Sequence, residues 1–346
     1  MKLNYRVLIC YNEPFTFYQN YLGKELDSGS EVLDLSERNF ISQLNSTKKL
    51  LSKRFKSVNS LAIGRDLLKS ITDIKEYNPD LIINFVETIE GKSNFESYFA
   101  GLYEILGISY TGNTPMALEN CLYKSRTKQI LTSFGINTPK FIKLESNGKL
   151  SKPKFDLKFP VIVKLLNEDA SIGISENSVV YTFENLLKRV KYLKDNFNQP
   201  MLIEEYIDGR EFNVAILGDE LLPISEIVFE SLPAHLPKIV TYEAKWSEDS
   251  IYYKNTIPKC PATIKTGIRK RLEKTAYEAY KALECRDYAR VDIRLSKKNV
   301  PFVIEVNPNP DVSSDAGFAR AANAAGINYE ELLFRIAMIA ANRTKK

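Results

Sequence analysis

Residues 288–311 read YARVDIRLSKKNVPFVIEVNPNPD. Two runs of alternating polar and apolar residues, 288–295 and 300–306, flank the polar turn 296–299, the pattern of a β-hairpin. With Leu295 opposite Val300, Asp292 faces Val303 and Arg290 faces Glu305. Strand alternation then puts Arg290, Asp292, Glu305 and Asn307 on one face and Val291, Ile293, Phe302, Ile304 and Val306 on the other. Asp292 and Glu305 become diagonal neighbours, about 7–8 Å apart at the backbone. Two carboxylates about 5 Å apart repel by roughly 3 kcal/mol at an effective dielectric near 20. A raised pKa, a basic residue or a divalent cation must relieve that repulsion. Carboxylate oxygens with the amide oxygen of Asn307 form a hard ligand set of the kind Mg²⁺ takes. The competing arrangement is a solvated face with an Arg290–Glu305 pair. Pro308 and Pro310 end the second strand just past Asn307 and aim its polar face at a loop, which favours the metal.

Working outward, 346 residues suffice for two or three domains, and 44% hydrophobic with 26% charged residues is ordinary globular composition. The net charge of +5 is that of 48 dispersed basic residues against 43 acidic ones, favouring small anionic ligands and not nucleic acid. Cys10, Cys121, Cys260 and Cys285 lack metal spacing and read as reduced thiols of a cytoplasmic protein. The apolar run within 1–11 is too short for a signal peptide, and no stretch reaches the roughly 18 apolar residues of a membrane span. One histidine, His235 in a Pro-rich segment, leaves the chemistry to carboxylates, Lys and Arg.

Strands are expected at 7–11, 31–35 and 80–86 with helices between them, including 65–77, which makes a small parallel-sheet α/β domain. Ligands of such sheets sit beyond the carboxyl ends of strands, here at Asn12–Glu13 and 87–95. A helix over 113–135 carries the stripe Leu118, Leu122, Ile130, Leu131 and Phe134, with Lys124, Arg126 and Lys128 solvated off it. The strand 160–166, PVIVKLL, buries Lys164 in an apolar run, which is costly unless the ammonium meets an anion. Ala170, Ser171, Ile172 and Gly173 then form a small-residue turn able to lay N–H groups on phosphate. A helix spans 184–195. Strands at 201–207 and 211–217 surround a turn at Asp208–Gly209, bracketed by Glu204, Glu205 and Glu211, and a third strand follows at 221–228. Tyr242 to Trp246, YEAKW, sets Lys245 beside an aromatic; helices at 263–283 and 329–341 complete the chain.

Jointly, GLYEILGISYTGN, LYKSRTKQILTSFGINTPKF, FPVIVKLLNEDASIG, LIEEYIDGREFNVAILG, TYEAKW, CPA, RVDIRL and VIEVNPNP resemble the ATP-grasp superfamily, most closely the D-alanine–D-alanine ligases, in order and spacing over 99–309. The resemblance implies an N-terminal Rossmann-like domain (1–112), a central ATP-grasp subdomain (113–203) and a C-terminal subdomain with the Mg²⁺ site (204–346). ATP would lie between the last two with two Mg²⁺, for which Mn²⁺ could substitute. Carried over, Lys124 and Lys164 meet the phosphates and the 170–173 loop covers them. Glu204 and the following Glu205, Tyr206 and Ile207 read adenine, and Glu211 holds the ribose. Lys245 meets the γ-phosphate; Asp292, Glu305 and Asn307 hold Mg²⁺; Arg290 stabilises the reacting acyl group. The implied reaction joins a small-molecule carboxylate, activated as an acyl phosphate, to an amine in a cytoplasmic homodimer, with a lid near 235–246 excluding water.

Departures gather where substrates would bind. The family has serine at Ala170 and tyrosine at Trp246, and only Glu13 could supply the glutamate that works with them on the amino group. The family's His-Gly and Gly-Glu-Asp-Gly features are missing from 84–96. Asp311 stands where the family has glycine, and Ala316–Gly317 where it has the serine–leucine pair that receives the second D-alanine's carboxylate. A lost hydrogen bond to a buried charge costs about 1.5–3 kcal/mol, enough to change the preferred substrate. The expectation is a ligase of this kind with altered substrate positions; a true D-alanine–D-alanine ligase and a non-catalytic nucleotide binder are the alternatives.

Overall fold

Val7 to Cys10 are at most 2% exposed, so the first strand, β1 (Leu3–Asn12), is covered on both faces, as the middle strand of a parallel sheet must be. The computed structural model that shows this describes residues 2–13, 16–18, 31–33, 35–166, 168 and 171–343. After β1 come β2 (Thr16–Tyr18), β3 (Glu31–Leu33), α1 (Leu35–Arg54), β4 (Phe55–Ile63), α2 (Leu67–Tyr77), β5 (Leu81–Phe85) and α3 (Asn94–Ile105). The sheet runs β4-β1-β5, all parallel. The strand expected at 31–35 is not part of it: Glu31–Leu33 pairs antiparallel with Thr16–Tyr18, and Leu35 already opens a helix. The true partner, β4, is an edge strand reading FKSVNSLAI, and its solvated positions hid the apolar pattern.

The middle of the chain forms α4 (Pro115–Leu122), α5 (Lys124–Ser133), β6 (Phe141–Leu144), β7 (Val161–Leu165), β8 (Val179–Val180), α6 (Phe183–Phe197) and β9 (Met201–Glu205). Its strands make an antiparallel sheet in the order β6-β9-β7-β8. Thr114 caps α4 by accepting from Ala117 N–H, and Pro115 starts it. The single helix expected over 113–135 breaks at Tyr123, which leaves the helical region at φ −83°, ψ 90°. Leu118 and Leu131 are buried and Ile130 packs on the core as expected, but Phe134, past the end of α5, is exposed, whereas Lys124 and Lys128, expected in solvent, are buried.

The last part holds β10 (Gly209–Leu217), β11 (Glu220–Leu221), β12 (Ser225–Val228), α7 (Tyr242–Trp246), α8 (Ile251–Asn255), β13 (Ile257–Lys259), α9 (Thr266–Ala282), β14 (Tyr288–Ser296), β15 (Pro301–Asn307), α10 (Gly317–Ala324) and α11 (Tyr329–Arg343). The sheet order is β13-β12-β10-β14-β15, with β11 on β10. Leu272, Ala276 and Ala279 of α9 pack under Val214, Ile216, Val291 and Ile293. α11 turns back to cover the N-terminal sheet with Leu333, Ala337 and Ala340.

Two expectations change here. The strands at 201–207 and 211–217 are not paired around their turn; β9 and β10 lie in different sheets, so 206–208 crosses from one sheet to the other. Glycine is needed at 209 because a Cβ there would fall 1.9 Å from the Leu295 carbonyl oxygen. The expected strand 221–228 is also interrupted, between β11 and β12.

In the hairpin, Leu295 pairs with Pro301 and Ile293 with Val303, after which the register shifts so that Asp292 faces Glu305 and Arg290 faces Asn307. The extra residue is Ile304. The bulge lets Val303 and Val306, three apart, both enter the core at 0% and 2% exposure while Ile304 turns to the cleft. The polar face survives as expected and Val306 packs inward as expected, but Asp292 and Glu305 are directly opposed and not diagonal, and Val303 enters the core in place of Phe302 and Ile304.

Candidate active site

A cavity of about 370 Å³ opens between the central and C-terminal sheets. Lys124 enters it from α5, Lys164 from β7, Glu204 and Glu205 from the end of β9, and Glu211 and Asn213 from β10. Lys245 of α7, Arg290, Asp292 and Arg294 of β14, Glu305 of β15, Arg320 of α10 and Glu168 add to its charged wall. Ile172, Ile174, Ile227 and Ile239 supply apolar surface.

Glu204, 1% exposed, sits between two ammonium groups, Lys128 Nζ and Lys164 Nζ, each 2.6 Å away. Burial alone would raise its pKa, but the two lysines bring it down to about 2, so the carboxylate stays charged. Two cations share one anion, so burial still lowers the pKa of Lys128 against the pull of Glu204. Lys128 also donates to Thr138 Oγ1 at 2.9 Å. The Glu205 N–H donates to the Lys140 carbonyl and the Tyr206 N–H to the Pro160 carbonyl, while Ile207 follows along the cavity wall.

On the hairpin face, Arg290 holds Asp292 in a bidentate ion pair at 2.8 and 2.9 Å. Asn213 Nδ2 donates to Asp292 Oδ1 at 2.7 Å and Asn307 Nδ2 to Asp292 Oδ2 at 3.1 Å. Lys124 Nζ lies 3.3 Å from Glu305 Oε1 and donates to the Glu168 carbonyl at 2.7 Å. Burial would raise the Glu305 pKa; Lys124 above all, then Lys164, Lys245 and Arg290, lower it overall. Glu211 pairs with Arg294 at 3.1 Å, yet burial, aided by the Asp292 charge, leaves its pKa raised. Arg294 also donates to the Gly209 and Lys238 carbonyls and lies over the Tyr206 ring at 5.2 Å.

The donor set fits a hard divalent ion. Asp292 and Glu305 are directly opposed, and the Asn307 amide commits its nitrogen to Asp292, which leaves its oxygen outside that bond. No group of three His, Cys, Asp or Glu among the described residues could cage a metal. Mg²⁺ does not require one, since it takes one or two carboxylates and completes its shell with water and phosphate.

Of the residues singled out in the sequence, Lys124, Lys164, Ser171, Ile172, Glu204, Glu205, Tyr206, Ile207, Glu211, Lys245, Arg290, Asp292 and Glu305 line this one cavity, with Asn307 bonded to Asp292 at its edge. Gly173 lies behind the loop, against Leu165. Ala170 lies outside the described residues. Glu13 is not among the lining residues; it sits at the end of β1 with its carboxylate against Gly64. Sequence reasoning missed Lys128, Asn213, Arg294 and Arg320, while Gly317, placed by the resemblance at the second substrate, does line the cavity. Arg294 was within reach, since it shares the parity of Arg290 and Asp292; Lys128 lies one helical turn from Lys124.

A family model described as D-ala D-ala ligase C-terminus matches residues 130–338. An uncharacterized protein of Sinorhizobium fredii is 33% identical over 263 residues, covering 76% of this chain and 75% of its own. A D-alanine–D-alanine ligase of Nitrosospira multiformis is 31% identical over 248 residues, covering 72% and 76%. The crystal structure of D-alanine–D-alanine ligase from Bacillus anthracis complexed with ATP superposes with a TM-score of 0.76 at 24% identity, over 99% of both chains. Two sheets closing on a cavity walled by cations and carboxylates have the ATP-grasp architecture, and the class is that of ATP-dependent, ADP-forming ligases. The chain belongs to the D-ala D-ala ligase C-terminus family.

Proposed function

We propose that this chain uses ATP to activate a small-molecule carboxylate as an acyl phosphate and joins it to an amine, forming an amide or peptide bond. What carries the reading is the meeting, in one cavity, of Lys124 and Lys164 from the central part with Asp292 and Glu305 from the hairpin. A carboxylate approaching a triphosphate is repelled, so cations must do most of the work. Lys124, Lys164 and Lys245 would hold the phosphates, with the 170–173 loop laid over them. Glu204 would keep Lys164 in place, and the backbone of Glu205, Tyr206 and Ile207 would border the adenine, with Glu211 near the ribose. Asp292, Glu305 and the Asn307 oxygen would hold Mg²⁺, which when bound supplies charge neutralisation at the phosphates. Arg290, now committed to Asp292, would then be released to face the acyl oxyanion.

The substrates are read as amino acids or related acids and amines, and the assembly as a cytoplasmic homodimer without nucleic-acid or membrane partners. Among the described residues no helix is long and apolar enough to cross a membrane. A second reading, true D-alanine–D-alanine ligation, is favoured by the names of relatives at 31–32% identity. Asp311, Ala316 and Gly317 weigh against it. ADP release with Mg²⁺, measured over D-amino acids, L-amino acids and other acids, separates these readings. Turnover confined to D-alanine supports the second, and turnover with other pairs the first. Silence throughout, with ATP tightly bound, would leave a nucleotide binder. In the active case Glu305→Ala removes turnover.

A further inference from the structure

Arg189 of α6 has no role in the chemistry described above, yet it is 7% exposed. Its Nη2 donates to the Gly173 carbonyl at 2.5 Å and to Ser178 Oγ at 2.9 Å. The guanidinium lies 5.0 Å from the Tyr192 ring centre, and its Nε is buried without a hydrogen-bond partner. Among the described residues no carboxylate forms an ion pair with it. A buried cation answered only by a carbonyl, a hydroxyl and an aromatic face is under-compensated. Burial accordingly pushes its pKa down to about 10.

The acceptor belongs to the loop that the proposed function lays over the phosphates. Ser171 and Gly173 both adopt left-handed backbone, at φ +64° and +71°, and Ile174 N–H closes the turn on the Ser171 carbonyl at 3.0 Å. Ser171, Ile172 and Ile174 line the cavity on one side of this turn, while Arg189 grips its Gly173 carbonyl from behind. The Ile174 carbonyl accepts from Tyr242 N–H at 3.2 Å, joining the loop to the helix that carries Lys245.

We infer that Arg189 is a positioning residue for nucleotide binding: from beneath the 171–174 turn it holds the loop in the shape that receives the triphosphate. The inference rests on the ATP-dependent ligase reading.

The test uses the full chain with Arg189→Met, Arg189→Lys and Ser178→Ala, reading equilibrium binding of ATP with Mg²⁺ and hydrogen exchange of the free protein. One hydrogen-bonded charge predicts about tenfold weaker ATP binding in Arg189→Met. Exchange should quicken at 171–178 and stay at the wild-type rate in β14 and β15, and Arg189→Lys should recover part of both effects. Wild-type ATP affinity in Arg189→Met overturns the inference. So does faster exchange spread over every sheet, which would mark a purely structural role. If Arg189→Met does not fold, Ser178→Ala decides: weaker ATP binding with faster exchange at 171–178 supports the inference, and unchanged binding refutes it. Should the wild-type chain fail to bind ATP, the ligase reading falls first and this one with it.

Discussion

Glu204 shows how much one buried charge organises. With its side chain and that of Lys128 each 2% exposed, removing the carboxylate leaves two ammonium groups facing each other. Glu204→Ala should therefore lower folding stability by about 3–5 kcal/mol in a denaturant titration. The pH dependence has a definite sign. A carboxyl whose folded pKa is about 2 lies below an unfolded value of about 4.3, so its stabilisation is complete above that unfolded value and drains away as pH falls toward 2. The stability gap between wild type and Glu204→Gln should narrow over that window, followed by circular dichroism. In the proposed function Lys164 holds the nucleotide phosphates. Lys164→Met should cut the rate of ADP release by about 10²–10³, the usual scale for losing one preorganised electrostatic contact.

At the scale of elements the hairpin decides the site, and its bulge decides the hairpin. Val303 belongs to the core and Ile304 to the cavity, the reverse of an unbulged pairing. Val303→Ala should cost about 2 kcal/mol in thermal or chemical unfolding, whereas Ile304→Ala should leave stability nearly unchanged and raise the KM for ATP. Equal destabilisation by both would mean the register is wrong. The shared polar face of Arg290, Asp292, Glu305 and Asn307 was legible from alternation alone. The bulge was not, because nothing local in VPFVIEV says which residue is spare; the choice follows from what α9 needs beneath Val303 and Val306.

The whole molecule brings distant pieces together. Gly112 and Asn113 dock on the hairpin, with Asn113 Nδ2 donating to the Tyr288 carbonyl at 2.9 Å and Asn113 N–H to Asn309 Oδ1 at 3.0 Å. Asp287, 3% exposed, is held by Arg343 of the last helix and by Gly112 N–H at 2.9 Å. A ligand gripped between two sheets should stabilise both. ATP with Mg²⁺ at a hundredfold its Kd should add about 2.7 kcal/mol, read as a rise in Tm, and Glu305→Ala should abolish most of that rise.

By itself the sequence determined the alternation of strands and helices, the pairing of acidic residues on one hairpin face and the burial of a lysine in an apolar strand, because each depends only on near neighbours and fixed periods. Tertiary structure alone decided that Lys128 leaves solvent to share Glu204 with Lys164, that Arg290 rests on Asp292 and not Glu305, and that Phe55–Ile63 is the neighbour of the first strand. The first and last depend on which charges and edges meet across tens of residues, and the second on Lys124 reaching Glu305 from a distant helix. Burial then sets how strongly each pair must be satisfied.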